Sequence, residues 1–192
     1  RHRFAASEDG RQPLPLEELR REGIVIRRFG EFTTSASALF EQASARAHQL
    51  WTEARSGALG PERTIAGSYG RKDYKVSLLR MPLLLDDPFV QMAIHPDLLT
   101  LANRYLGMRS MVRAIELWWD RPTPGEAKET QLWHRDGDDL MNVKLFVYFS
   151  DVDLEAGPFC FIPRSHPRGD RWQAAPEHDV HGRTTDEQMA RV

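Results

Sequence analysis

The stretch VKLFVYF at 143–149 decides how the second half of the chain is read. Its β-branched and aromatic residues suit a strand. Two other stretches share that composition: MVRAIELWW at 111–119 and the shorter FCFI at 159–162. Turn-forming residues separate the three, Pro122-Thr-Pro-Gly125 on one side of 143–149 and Glu155-Ala-Gly-Pro158 on the other. Strands are therefore expected at all three places.

Upstream of Gly107 the period is mostly helical. Pro15-Leu-Glu-Glu-Leu-Arg-Arg-Glu22 reads as a short helix stopped by Gly23, and Gly23-Ile-Val-Ile26 then reads as a strand. Thr34 or Ser35 can cap a long helix whose apolar stripe is Ala36, Leu39, Phe40, Ala43, Ala47, Leu50 and Trp51, closed near Gly57. His48 lies beside that stripe and is expected to be solvated or packed rather than a ligand. Asp87-Pro88 opens a further helix, and His95-Pro96-Asp97 opens the one that ends at Gly107, with Asp97 in a capping or dipole role. Helices followed by several short strands indicate an antiparallel sandwich or barrel with a helical layer against it.

The 192 residues suffice for one domain with a substantial core, and the apolar share of 41% and charged share of 28% are those of a globular protein. A net charge of -2 offers no footprint for nucleic acid or an anionic membrane, so a small-molecule or single-protein partner is expected. Cys160 is the only cysteine, which rules out an intrachain disulfide and a cysteine-rich zinc site and suits a reducing cytoplasm. No apolar run approaches the roughly 18 residues that cross a bilayer, nor do the first residues form a signal peptide. A cytoplasmic location is expected. The chain opens on Arg1 rather than Met, and the polar stretch after Pro167 supplies no second set of strands, so it is expected to be part of something longer.

Within QLWHRDGDDL at 131–140, His134 and Asp136 form a His-x-Asp triplet. The triplet alone means little in a chain with seven histidines, and His95-Pro96-Asp97 is a second instance. Position separates them. His95 opens a helix, whereas His134 follows a turn and precedes a strand, and residues i and i+2 of an extended backbone project from the same face. One imidazole and one carboxylate can then converge on a divalent metal, as in the two-histidine, one-carboxylate triad of non-haem iron. The alternative is that the two bond to each other or to a turn.

The run Gln131-Leu-Trp-His-Arg-Asp-Gly137, then Val143-Lys-Leu-Phe-Val-Tyr-Phe-Ser-Asp-Val-Asp153, then Gly157-Pro-Phe-Cys-Phe-Ile-Pro-Arg-Ser-His166 resembles the phytanoyl-CoA dioxygenase family of iron(II)- and 2-oxoglutarate-dependent oxygenases. The match covers roughly residues 131 to 166, with a weaker likeness at Tyr105-Leu-Gly107. It implies a double-stranded β-helix, or jelly roll, with N-terminal helices packed on it and probable incompleteness at the C-terminal side of this chain. The domain is expected to span 1–192, helix-rich over 1–107 and holding the first part of the jelly-roll core over 108–192.

The resemblance makes His134 and Asp136 two of the three iron ligands. His166 is not a ligand in the family and takes a structural place or lines the mouth of the site. Arg164 stands where the family has glycine. The distal histidine and the arginine that pairs with 2-oxoglutarate are expected downstream; His178 and His181 are the remaining histidines, in a polar stretch unlike a strand, so the ligand is expected beyond Val192. Lys75, Gln131 and Lys144 are the candidate contacts for the anionic co-substrate. Trp118, Trp119 and Trp133 are expected to pack in the core.

The implied reaction consumes 2-oxoglutarate and O2 and releases succinate and CO2 while hydroxylating a C–H bond of a small molecule. Related halogenases lack the carboxylate ligand, so Asp136 favours hydroxylation, with desaturation or cyclisation open to the same triad. Two rivals stand beside this reading: a catalytically inactive jelly-roll binding protein, and a cupin-like metal enzyme that does not use 2-oxoglutarate. Substrate and oligomeric state are not legible, since a fold does not choose a substrate.

Overall fold

A computed structural model describes residues 15–33, 37–59, 64–67, 70–122, 125–135, 142–172 and 182–191. The helices follow the local signals. Helix α1, Leu16–Glu22, has Glu17 and Glu18 in its first turn and ends on Gly23, which adopts φ 77° and donates its N–H to Leu19 O. The one-turn α2, Phe29–Phe32, leads to α3, Ser37–Arg55. Helix α3 buries Ala43, Ala47 and Leu50, the centre of the expected stripe, while His48 stays exposed with its ring 5.4 Å from that of Trp51. The expected capping residues Thr34 and Ser35, with Ala36, lie outside the described residues.

Helix α4, Pro88–Ala93, is capped by the Asp87 carboxylate, which accepts from Phe89 N at 2.9 Å. In α5, Pro96–Leu106, the cap is His95 rather than Asp97: His95 Nδ1 accepts from Asp97 N at 3.3 Å, and Asp97 sits in the first turn, where a carboxylate favours the helix dipole.

Strands β1, Thr64–Gly67, β2, Gly70–Ser77, and β3, Trp118–Asp120, form an antiparallel sheet in the order β1-β2-β3. Lys75, Val76 and Ser77 face Asp120, Trp119 and Trp118 across the β2-β3 pair, and Leu78 N to Leu117 O and Arg121 N to Tyr74 O lengthen it at both ends. Alternation along β2 buries Tyr74 and Val76 and leaves Lys75 and Ser77 on the opposite face.

The core joins α3, α4 and the sheet through Ala43, Ala47, Leu50, Val76, Leu78, Leu79, Phe89 and Met92. Burying each large apolar side chain here contributes about 1.5–3 kcal/mol. Phe149 reaches this core, with ring centroids 5.8 Å from Phe40 and 5.9 Å from Phe89, and Trp119 meets Trp51 edge to face at 6.4 Å. Trp119 thus takes the expected packing place.

The helical layer on an antiparallel sheet agrees with expectation, but four predicted strands need correcting. Residues 23–26, 143–149 and 159–162 run without strand pairing among the described residues, and of 111–119 only the end pairs, Leu117 O with Leu78 N and Trp118-Trp119 within β3. Alternation still marks 143–149, with Val147 and Phe149 packed on the core and Phe146 and Tyr148 half exposed. A ladder needs a second backbone alongside, which alternation in one segment cannot supply. Two facing sheets are accordingly not assembled among the described residues. No helix of the described residues is long and apolar enough to cross a membrane.

Candidate metal centre

The segment carrying His134 is anchored before and after the histidine. A short 3-10 turn, Glu129–Gln131, precedes it, and the buried Tyr74 of β2 holds that turn: its hydroxyl lies 2.9 Å from Thr130 Oγ1 and accepts from Thr130 N at 3.3 Å. Gln131 closes the turn, its Oε1 accepting from Lys128 N at 3.1 Å.

Trp133 then pairs with a distant segment. Its N–H donates to Thr184 O and its carbonyl accepts from Thr184 N, both at 2.9 Å, and its indole Nε1–H donates to Asp186 Oδ1 at 2.5 Å. Thr184 is 1% exposed, and the next residue, Thr185, caps helix α6, Asp186–Met189, in a reciprocal box with Gln188. Trp133 is therefore only partly buried and is spent on this joint.

His134 is partly buried, and its Nδ1 lies 2.7 Å from Leu132 O. A carbonyl only accepts, so Nδ1 carries a proton and donates it. That is the tautomer of a metal-ligating histidine, whose other ring nitrogen donates to a carbonyl or carboxylate and thereby sets ring orientation and basicity. Arg135 donates to Trp172 O, lies 3.5 Å from Ser165 O, and stacks its guanidinium 3.9 Å from the Trp172 ring centroid.

Asp136, the second expected ligand, lies outside the described residues, as do His178 and His181. The candidate co-substrate contacts fall on separate elements. Lys75 projects from β2 with its ammonium 3.2 Å from Asp120 Oδ1 and 3.9 Å from the Trp118 ring centroid, so that tryptophan serves as a cation-π platform rather than a member of the core. Gln131 is exposed on the turn just described, and Lys144 is exposed on the extended 143–149 segment.

His166 takes a structural place. Its Nε2–H donates to Arg21 O at 3.2 Å, its Nδ1 accepts from Arg168 N at 3.3 Å, and Arg164 N donates to Glu22 O at 2.8 Å. These bonds dock the Ser165-His166 turn on the C-terminal end of α1. Arg164 has φ 66°, the left-handed backbone that explains why glycine is usual at that position.

Sequence reasoning missed the joint formed by Trp133 with Thr184 and Asp186, and the stacking of Arg135 on Trp172. The Thr185-x-x-Gln188 capping box was a legible signal for the first, because it marks a helix start inside a stretch read as a fading polar tail. The pairing itself joins residues far apart in sequence and leaves no local trace.

The family model described as phytanoyl-CoA dioxygenase (PhyH) matches residues 33–192, more than four fifths of the chain. No curated protein matches the chain, and no solved structure does. The matched region runs from just before α3 through the His134 segment to α6, and the chain belongs to the phytanoyl-CoA dioxygenase family, a jelly-roll family whose members depend on iron(II) and 2-oxoglutarate.

Proposed function

We propose that the chain is a single non-haem iron(II)- and 2-oxoglutarate-dependent dioxygenase domain, built on a jelly roll, that hydroxylates an unactivated C–H bond of a small molecule. The observation that carries this is the contact of His134 Nδ1 with Leu132 O at 2.7 Å, which makes Nδ1 the donor and leaves ligation to Nε2. A neutral imidazole and a carboxylate two residues on form a nitrogen and oxygen donor set that suits ferrous iron, so the residues fit the metal.

His134 and Asp136 would hold the iron. When bound, iron with 2-oxoglutarate and O2 supplies the oxidising power: 2-oxoglutarate loses CO2 to become succinate, one oxygen atom enters that succinate, and the other enters the substrate C–H bond. The protein's own part is placement. The hydrogen bond to Leu132 O stops the His134 ring from turning and raises the basicity of Nε2. The pairing of Trp133 with Thr184 holds the backbone next to it, so the ligand is presented on a rigid support.

Lys75, Gln131 and Lys144 are the candidate contacts for the 2-oxoglutarate carboxylates. Lys75 already pairs with Asp120, and that ion pair reduces its attraction for a second anion.

The test is conversion of 2-oxoglutarate to succinate by purified protein with and without iron(II), beside Asp136→Ala. Iron-dependent succinate formation that Asp136→Ala abolishes is the expected result. Iron binding without 2-oxoglutarate consumption would favour a cupin-like enzyme. Failure of the protein to bind either would leave the binding-protein reading.

A further inference from the structure

Arg135 stands between the two residues of the metal pair and makes contacts that have no part in ligation. Its guanidinium carbon lies 3.9 Å from the Trp172 ring centroid, and the group donates to Trp172 O, with Ser165 O at 3.5 Å. Both partners belong to the 163–172 turn. That turn is internally tied, with Arg171 N donating to Arg164 O at 3.1 Å, Gly169 N to His166 O at 2.8 Å, and the Arg164 guanidinium 3.1 Å from Asp170 Oδ2. It is also fastened to α1 by His166 to Arg21 O and Arg164 N to Glu22 O. A continuous set of contacts thus runs from the end of α1, through the turn, to the residue adjoining His134.

Trp133, on the other side of His134, is held by Thr184 and Asp186. Contacts thus hold the chain on both sides of His134, through Trp133 before it and Arg135 after it. The Trp133 clasp is mainly backbone pairing, whereas the Arg135 clasp is made by a side chain and can be removed alone.

We propose that Arg135 is a positioning residue for the metal centre: by stacking on Trp172 it ties the His134 segment to the Ser165-His166 turn and sets the direction in which Nε2 of His134 is presented. This rests on the reading of His134 as a metal ligand. Arginine suits the role because its planar fork stacks on an aromatic face and donates to a carbonyl at the same time, which a lysine ammonium cannot match.

The experiment titrates the full chain with Co(II) alone and follows the d–d absorption band, whose position and intensity report ligand geometry without any turnover. Outer contacts that orient a metal ligand carry about 10–100-fold in metal affinity, so Arg135→Ala is expected to weaken Co(II) binding about 10-fold and to shift the band. Trp172→Ala, which keeps the backbone carbonyl, is expected to fall between Arg135→Ala and the parent, and Trp172→Phe to recover most of the loss. The double variant Arg135→Ala/Trp172→Ala should bind no more weakly than Arg135→Ala, since both remove one clasp. Trp172 is 41% exposed, so its variants are not expected to unfold the chain, and circular dichroism checks that they have not.

Unchanged affinity and band in Arg135→Ala and Trp172→Ala, or losses that simply add in the double variant, would overturn the proposal. His134→Ala separates the two levels. If it abolishes Co(II) binding while the Arg135 and Trp172 variants bind normally, only the positioning role falls; if it too binds normally, the reading of the site falls and the positioning role with it.

Discussion

His134 and His95 each head a His-x-Asp triplet, and their Nδ1 atoms play opposite hydrogen-bonding roles. Nδ1 of His134 donates to Leu132 O at 2.7 Å, whereas Nδ1 of His95 accepts from Asp97 N at 3.3 Å. In the first Nδ1 is the donor; in the second Nδ1 is the acceptor that caps α5. The two triplets are equivalent as text and distinct as chemistry.

Asparagine therefore has different effects at the two sites. It is among the best helix caps, so His95→Asn is expected to change stability by no more than about 0.5 kcal/mol and to leave iron(II) binding as it was. His134→Asn offers a donor near the Nδ1 position but nothing at Nε2, and is expected to weaken iron(II) binding by at least about 10-fold. Anaerobic calorimetric titration with iron(II) and thermal melts of both variants measure this. Equal iron affinity in the two would count against His134 as a ligand.

Gly23 tests the docking of the Ser165-His166 turn on α1. A Cβ there would lie 2.8 Å from His166 Cδ2 and 3.1 Å from Phe161 Cζ, on a backbone with φ 77°. Gly23→Ala carries the left-handed backbone cost and the crowding together, and a loss of about 2 kcal/mol is expected by urea denaturation. Against a His166→Ala background the crowding is largely relieved, and the cost of Gly23→Ala should fall toward about 1 kcal/mol, the backbone part alone. An unchanged cost in that background would mean that His166 does not press on the end of α1.

How much of this was legible follows from whether a signal is local. The α3 stripe, the Asp87 cap and the Gly107 stop each rest on residues within one or two helical turns, and each was readable. VKLFVYF does place Val147 and Phe149 against the core, two residues apart, because facing is a property of one segment. Pairing is a property of two, so the same alternation misplaced strands at 24–26 and 159–162. At 24–26 the apolar run even ends on an Ile26 that is 78% exposed. For the site, His134 was a candidate from its setting and the family likeness. Its supports were not: Thr184 and Asp186 sit in a stretch without periodicity, and Trp172 meets Arg135 only through the tertiary fold.

Arg164 occupies a glycine-like backbone with φ 66°. A non-glycine residue there bears about 1–2 kcal/mol of strain, while its ion pair with Asp170 at 3.1 Å is largely exposed and contributes little. Glycine removes the strain but adds freedom to the unfolded chain worth about 0.4–1 kcal/mol. Arg164→Gly is accordingly expected to raise stability by about 0.5 kcal/mol, read as a higher urea midpoint with an unchanged slope. A lower midpoint would show that the contacts of the Arg164 side chain outweigh its backbone strain.

Glu129 and Arg183 join the turn before His134 to the segment that pairs with Trp133. Their charged atoms are 3.7 Å apart, and the side chains are only 12% and 13% exposed. At that distance the attraction is ionic more than a hydrogen bond, and burial weakens screening by salt. Removing either partner leaves the other charge in a poorly solvated place, so Glu129→Ala and Arg183→Ala are each expected to cost about 3 kcal/mol. The double variant removes both charges and should cost less than the two single losses combined, by at least about 1 kcal/mol. Urea denaturation of the four proteins at low and high salt measures the coupling, which should survive high salt if the pair is as enclosed as its exposure indicates. Additive losses would mean that the two charges act independently and that the turn is held to the 182–191 segment by the Trp133 and Thr184 backbone bonds instead.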